Sequence, residues 1–182
     1  FALAEACAEA GAEVMLVAGP VSLKTNHSSI DRIDVESAEE MYRAVLSEYD
    51  RSDIAIMCAA VADYAPETVS DVKLKRTGED RILRLRPNPD IAAELGRRKR
   101  PGQCLVGFAL ETNDEEMNAR LKMEKKNLDF IVLNSLRDAG AGFQCDTNKV
   151  TVIGKQGDPV EIPCKPKIEV AADIVDIIGR YV

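Results

Sequence analysis

Ile54-Ala55-Ile56-Met57-Cys58 runs without a charge into Ala59-Ala60-Val61-Ala62-Asp63-Tyr64, and the reading of this stretch decides the fold. A short apolar run of this kind is the pattern of a strand buried on both faces of a parallel sheet. Small residues crowd its end, a single carboxylate follows, and then comes the basic segment Lys73-Leu74-Lys75-Arg76. Ligands of open α/β sheets bind just outside the carboxyl ends of the strands. Ala59–Tyr64 is therefore either one wall of a ligand site or only a core strand leaving the sheet.

The flanking segments alternate between strand and helix patterns. Upstream, Phe1 to Ala12 is alanine-rich and helical, with Gly11 as its stop. A helix this apolar is expected to follow a strand, so the sequence reads as starting inside a βαβ unit, its N-terminal strand and phosphate-binding loop absent. Glu13 to Ala18 is a strand ended by Gly19-Pro20, and Ile33 to Val35 is a short strand. Ser37 opens a helix through a capping box with Glu40, its apolar face carrying Met41, Val45 and Leu46.

Downstream, Lys73–Lys75 and Ile82–Leu85 alternate weakly and are expected to pair as a hairpin across 77–80. Asn88-Pro89-Asp90 reads as a helix start, with Asn as the cap and Pro at the first helical position. Cys104 to Leu110 is a strand, and Asn113 to Lys126 is a helix with acids first and bases last. Asp129 to Leu133 is a strand ending at Asn134, and residues 135–148 form a loop, glycine-rich at 139–143. A second hairpin pairs Lys149–Ile153 with Val160–Ile162, and Pro166 opens a last helix with Ile168, Ala171, Ile174 and Ile178 on its apolar face. The pattern predicts an α/β fold: a Rossmann-like, doubly wound, mainly parallel sheet with hairpin additions, in one domain over residues 1–182.

Composition excludes several chemistries. The 182 residues are 46% hydrophobic and 30% charged, enough for a proper core, with a net charge of -7. That balance argues against general nucleic-acid binding, although a local basic cluster can still grip phosphates. The five cysteines, Cys7, Cys58, Cys104, Cys145 and Cys164, include no CxxC pair and read as buried, reduced thiols of a cytoplasmic protein. No run approaches the roughly 18 apolar residues of a membrane span. His27 is the only histidine, which removes histidine metal clusters and makes a Ser-His or Cys-His hydrolase improbable.

Lysine, carboxylate, amide and backbone groups are left to do any chemistry. Lys73 and Lys75 share a face of an extended segment and are suited to closing on phosphates; the plain alternative is a solvated hairpin. Lys122 and Lys126 stack on one helix face, as a phosphate grip or as partners of the helix dipole. The helix start at Asn88–Ile91 presents free N–H groups to an anion or ribose hydroxyls, or is simple capping. Phe108 sits at a strand end, beside a base or in the core. Asn26-His27-Ser28-Ser29 is read as a surface turn.

In order and spacing, five segments resemble the synthetase domain of bacterial phosphopantothenate–cysteine ligase. They are Ala59–Tyr64, Lys73–Arg76, Asn88-Pro89-Asp90-Ile91, Val106-Gly107-Phe108-Ala109-Leu110-Glu111-Thr112, and Lys122 through Lys126-Asn127-Leu128-Asp129. The resemblance implies nucleotide contacts from Met57, Cys58, Ala59, Asp63, Lys73, Pro89, Asp90, Ile91, Ala92, Phe108, Lys122 and Lys126, with Lys73 as the catalytic loop lysine. It implies CTP, 4′-phosphopantothenate and L-cysteine as substrates, an acyl-cytidylate intermediate, Mg²⁺ accompanying CTP, and a homodimer. In the family, FMN belongs to a fused decarboxylase. The family also carries a glycine-rich loop and an S-N-H-S-S-G-like segment just before the helix that opens this sequence. Asn26–Ser29 shares letters with it but follows the Glu13–Ala18 strand and lacks the glycine, so no role is assigned there. Two other readings stay open: a Rossmann-type NAD(P) oxidoreductase, with Asp31 and Asp34 as loose ribose-binding candidates, and a non-catalytic nucleotide-binding module.

Overall fold

The computed structural model describes residues 1–76, 78, 80–111, 114–135 and 146–181. Helix α1 (Ala2–Glu9) leads into strands β1 (Val14–Ala18) and β2 (Ile30–Asp34), then helix α2 (Ala38–Tyr49) and strand β3 (Ile54–Met57). An excursion holds the short strands β4 (Tyr64–Pro66) and β5 (Leu85–Pro87). Helix α3 (Ile91–Arg98), strand β6 (Cys104–Glu111), helix α4 (Glu115–Lys125) and strand β7 (Phe130–Ser135) follow. The chain closes with strands β8 (Thr147–Gly154) and β9 (Val160–Pro166) and helix α5 (Lys167–Gly179).

The central sheet has the order β3-β6-β7-β8-β9. Strands β3, β6 and β7 run parallel, and the β8–β9 hairpin is added antiparallel at one side. β1 and β2 form a separate parallel pair. Side chains alternate across the sheet with the strand's period of two. Leu105, Ile131, Leu133 and Ile153 meet Met41, Tyr49, Leu95, Ala119 and Met123 of α2, α3 and α4. Cys104, Val106, Phe130, Val132, Val150 and Val152 meet Leu3 and the α5 residues Val170, Ile174 and Ile178. Each large side chain so buried contributes about 1.5–3 kcal/mol. This two-layered covering is the expected doubly wound α/β arrangement.

The expected elements are present with corrected edges. The Ser37–Glu40 capping box is formed, Ser37 Oγ accepting from the Glu40 N–H at 3.2 Å. β2 begins at Ile30 rather than Ile33 because Ile30 already pairs with Val14. β3 is not buried on both faces: Ile54 is exposed, and among the described strands only β6 flanks it. β6 has that burial instead, since a strand lies on each side and a helix layer on each face.

The expected Lys73–Lys75 hairpin is not formed. β4 pairs antiparallel with β5, Ala65 opposite Arg86, and leaves the lysines outside the ladder. Ile82 and Leu83 find no surface to bury against and are exposed, so their alternation had nothing to enforce it. Ile168 of α5 is also exposed, while Ala171, Ile174 and Ile178 are buried as expected. Of the cysteines, Cys104 is buried, its thiol pushed by burial and the Asp129 charge to about 11, but Cys58 and Cys164 are exposed. Cys58 follows the end of β3, and Cys164 lies within β9, an edge strand of the sheet. Cys145, the 139–143 glycine region and the expected helix start at Asn113 lie outside the described residues.

At the amino edge of the sheet, Asp129 joins three strands and a helix end. Its carboxylate accepts from Lys99 Nζ at 2.8 and 2.9 Å, Lys155 Nζ at 3.0 Å and the Leu105 N–H at 2.8 Å. Asn127, with φ of 51°, donates from Nδ2 to the Gly96 carbonyl at 2.9 Å and so ties α4 to α3. This places the α4 lysines opposite the start of α3.

Candidate functional site

β3, β6 and β7 all end at the same edge, and a cleft of about 660 Å³ opens there. Its floor is the chain from Met57 to Asp63, where small residues let a ligand approach the backbone. Asn88 holds this floor. Its Nδ2 donates to the Ala62 carbonyl and its backbone N–H to the Asp63 carbonyl, both at 2.8 Å. Asn88 is thus not the helix cap that its spacing suggested. Asp90 takes that position, Oδ1 accepting from the Ala93 N–H at 3.1 Å, and Pro89 lies just outside the helix. The Asn88 amide is the better donor, and the long-range clamp uses it where a cap would waste it.

Asp90 also faces Lys126 Nζ at 2.8 Å. Burial pushes the Asp90 carboxyl up, but the hydrogen bonds from Lys126 and Ala93 and the charges of Lys126 and Lys122 outweigh it and hold it below the usual range. Lys122 Nζ donates to the Phe108 carbonyl at 3.2 Å, within β6, which runs on to Glu111 rather than ending at Phe108. Gly107, on the same strand, leaves room for Leu128; a Cβ there would lie 2.5 Å from its Cδ1. Phe108 is half-buried and borders the cleft.

Met57, Cys58, Ala59, Asp63, Pro89, Asp90, Ile91, Ala92, Phe108, Lys122 and Lys126 all line this one cleft. Lys73 does not: it is exposed on the β4–β5 excursion, beside Lys75 and Arg76. His27 belongs to a turn, its Nδ1 accepting from the Ser29 N–H at 3.2 Å. Asp34 is engaged with Arg32 at 2.8 Å on β2. Among the described residues no group of three or more His, Cys, Asp or Glu side chains could hold a metal ion.

The sequence reading missed Asn88's clamping role and the far wall of the cleft, formed by Asn134, Asn148 and Lys167. A polar residue ending the apolar run 130–133 was the available signal for Asn134. Asn148 and Lys167 gave none, because only the β8–β9 register brings them to this edge.

The chain matches the family described as DNA/pantothenate metabolism flavoprotein C-terminal domain over residues 1–181. It is 53% identical over 175 residues to a protein named cysteine/cysteine sulfinic acid decarboxylase from an unknown prokaryotic organism, covering 96% of this chain and 49% of that protein. It is 48% identical over 179 residues to the coenzyme A biosynthesis bifunctional protein CoaBC of Bacillus subtilis (strain 168), covering 98% of this chain and 44% of that protein. The chain thus spans about half the length of these curated relatives. The crystal structure of the C-terminal domain of a coenzyme A biosynthesis bifunctional protein CoaBC superposes with a TM-score of 0.82 at 37% identity, covering 99% of this chain and 80% of that one. Match, identity and fold agree: the chain belongs to the DNA/pantothenate metabolism flavoprotein C-terminal domain family.

Proposed function

We propose that this chain, as one domain over residues 1–182, is a CTP-dependent phosphopantothenate–cysteine ligase unit of coenzyme A biosynthesis. One observation carries the reading. The strand-end turn at Cys58–Asp63, the α3 start at Asp90 and the α4 lysines come from three separate motifs and line one cleft. The naming of relatives as coenzyme A biosynthesis bifunctional proteins supports it.

In this reading the nucleotide lies across the strand ends, with Asp63 available to a ribose hydroxyl and Phe108 beside the base. The substrate carboxylate oxygen attacks the α-phosphorus of CTP, the α–β phosphoanhydride bond breaks, and pyrophosphate leaves. The cysteine amine then attacks the acyl carbon, CMP leaves with the acyl C–O electrons, and the amine loses a proton to give the amide. An anion attacking a phosphate needs charge neutralisation and alignment more than a histidine base. Lys122 and Lys126 supply fixed charge, and Lys73 supplies mobile charge by closing over the cleft. Mg²⁺ fits as a companion of CTP, held chiefly through the phosphates with few protein ligands.

A homodimer is part of the proposal. The excursion exposes Val69, Val72, Leu74, Ile82 and Leu83, an apolar surface suited to a second copy. Any flavin decarboxylase would be a separate, fused unit that holds FMN. We place the activity in the cytoplasm; no helix among the described residues is long and apolar enough to cross a membrane.

The test is a pyrophosphate-release assay on the protein with CTP, 4′-phosphopantothenate and L-cysteine supplied singly and together. Release that requires both CTP and 4′-phosphopantothenate, and amide formation on adding L-cysteine, is expected. Binding of NADH with no pyrophosphate release would favour the oxidoreductase reading instead.

A further inference from the structure

The far wall of the cleft has a hydrogen-bond polarity of its own. The Lys149 N–H donates to Asn148 Oδ1 at 3.1 Å, Asn148 Nδ2 donates to Asn134 Oδ1 at 2.8 Å, and Asn134 Nδ2 donates to the Ala109 carbonyl at 3.3 Å. This relay fixes both carboxamides. Each side-chain oxygen already accepts a hydrogen bond, and each amide nitrogen keeps one further N–H.

Lys167 lines the same cleft as this pair. Its backbone N–H bonds to the Asp146 carbonyl at 2.9 Å, and the register places Lys165 opposite Asn148 on the paired strand. Among the described residues its ammonium forms no ion pair, although Lys165, two positions earlier, is paired with Asp173. Of the other two lysines of the cleft, Lys126 is paired with Asp90, while Lys122 donates to the neutral Phe108 carbonyl and keeps its charge for a ligand. Lys167 also occupies the first position of α5, the positive end of the helix dipole, where a cation is disfavoured. It therefore adds to the positive potential at this end of the cleft, with no counter-charge among the described residues.

We propose that Lys167, with the spare N–H groups of Asn148 and Asn134, forms an anion subsite at the β7–β8 end of the cleft that takes a phosphate or carboxylate group. Whether that group belongs to the nucleotide or to the acid substrate rests on the ligase reading; the subsite itself does not. Donors line this wall, and an acceptor-rich, negatively charged group is their complement.

The experiment titrates inorganic pyrophosphate calorimetrically into the wild-type chain, Lys167→Ala, Lys167→Arg and Asn148→Ala. Lys167→Ala and Asn148→Ala are expected to weaken binding, the former by about tenfold, while Lys167→Arg stays close to wild type. Unchanged thermal midpoints show that the variants fold, as expected for an exposed Lys167. Absence of pyrophosphate binding by the wild type, or equal binding by wild type and Lys167→Ala, overturns the proposal. CTP and 4′-phosphopantothenate are then titrated separately. A loss confined to CTP assigns the subsite to the nucleotide phosphates, and a loss confined to 4′-phosphopantothenate assigns it to the acid. If neither ligand binds the wild type, the ligase reading fails while the pyrophosphate result still decides the subsite.

Discussion

Asn88 is bonded to Ala62, 26 positions earlier, by a 2.8 Å hydrogen bond from its side-chain amide, and its backbone N–H bonds to the Asp63 carbonyl. This double contact joins two otherwise separate motifs and sets the shape of the cleft floor. Asn88→Ala should cost about 0.5–1.5 kcal/mol of stability in urea unfolding. The effect on CTP affinity should be larger, because the floor loses its clamp. Full CTP affinity in the variant would show that the clamp is irrelevant to the site.

Gly96 sets the distance between the two helices that carry Asp90 and Lys126. A Cβ at this position would stand 1.9 Å from the Lys126 carbonyl oxygen, a backbone atom that cannot swing away. Gly96→Ala should destabilise the fold by about 1–3 kcal/mol and weaken ligand binding by parting α3 from α4. Urea midpoints and nucleotide titration measure the two effects, and a neutral substitution would contradict the packing described.

The Asp90 and Asp129 carboxyls are both held below the ordinary aspartate range. In each, burial opposes ionisation and lysine hydrogen bonds with backbone N–H bonds prevail. A folded value below the unfolded one means stability that is fully present above about pH 3.9 and lost as the pH falls through the folded value. Unfolding free energy should therefore fall steeply below about pH 4, and Asp129→Asn should flatten the slope. The same slope in wild type and variant would rule out Asp129 as a source.

Lys73 lies on the excursion, away from the cleft wall. If it closes over bound nucleotide during the reaction, Lys73→Ala should lower turnover at least about tenfold, or about 1.4 kcal/mol of barrier. CTP affinity should change much less. Wild-type turnover in the variant would remove Lys73 from the mechanism.

The sequence exposed those parts of the fold enforced by local chemistry. The Ser37–Glu40 box, the apolar run of β6 and the β8–β9 hairpin each follow from residues close together in the chain. The site was legible where a strand end carried its own signal, as at Ala59–Asp63. It was not legible where long-range geometry decided the outcome. Asn88 has the spacing of a cap, and only the folded chain offers it Ala62. Lys73–Lys75 and Ile82–Leu85 alternate like a hairpin, yet no core face lies against them. Lys167 and Asn148 reach the cleft through a register that their own neighbours do not encode.

Titration of the chain with CTP and with NADH, followed by backbone amide resonances, tests the nucleotide site most directly. The account predicts saturable CTP binding with shifts concentrated at Met57–Asp63, Ile91, Ala92 and Phe108, and none with NADH. CTP shifts absent from those positions, or NADH binding in their place, would contradict it.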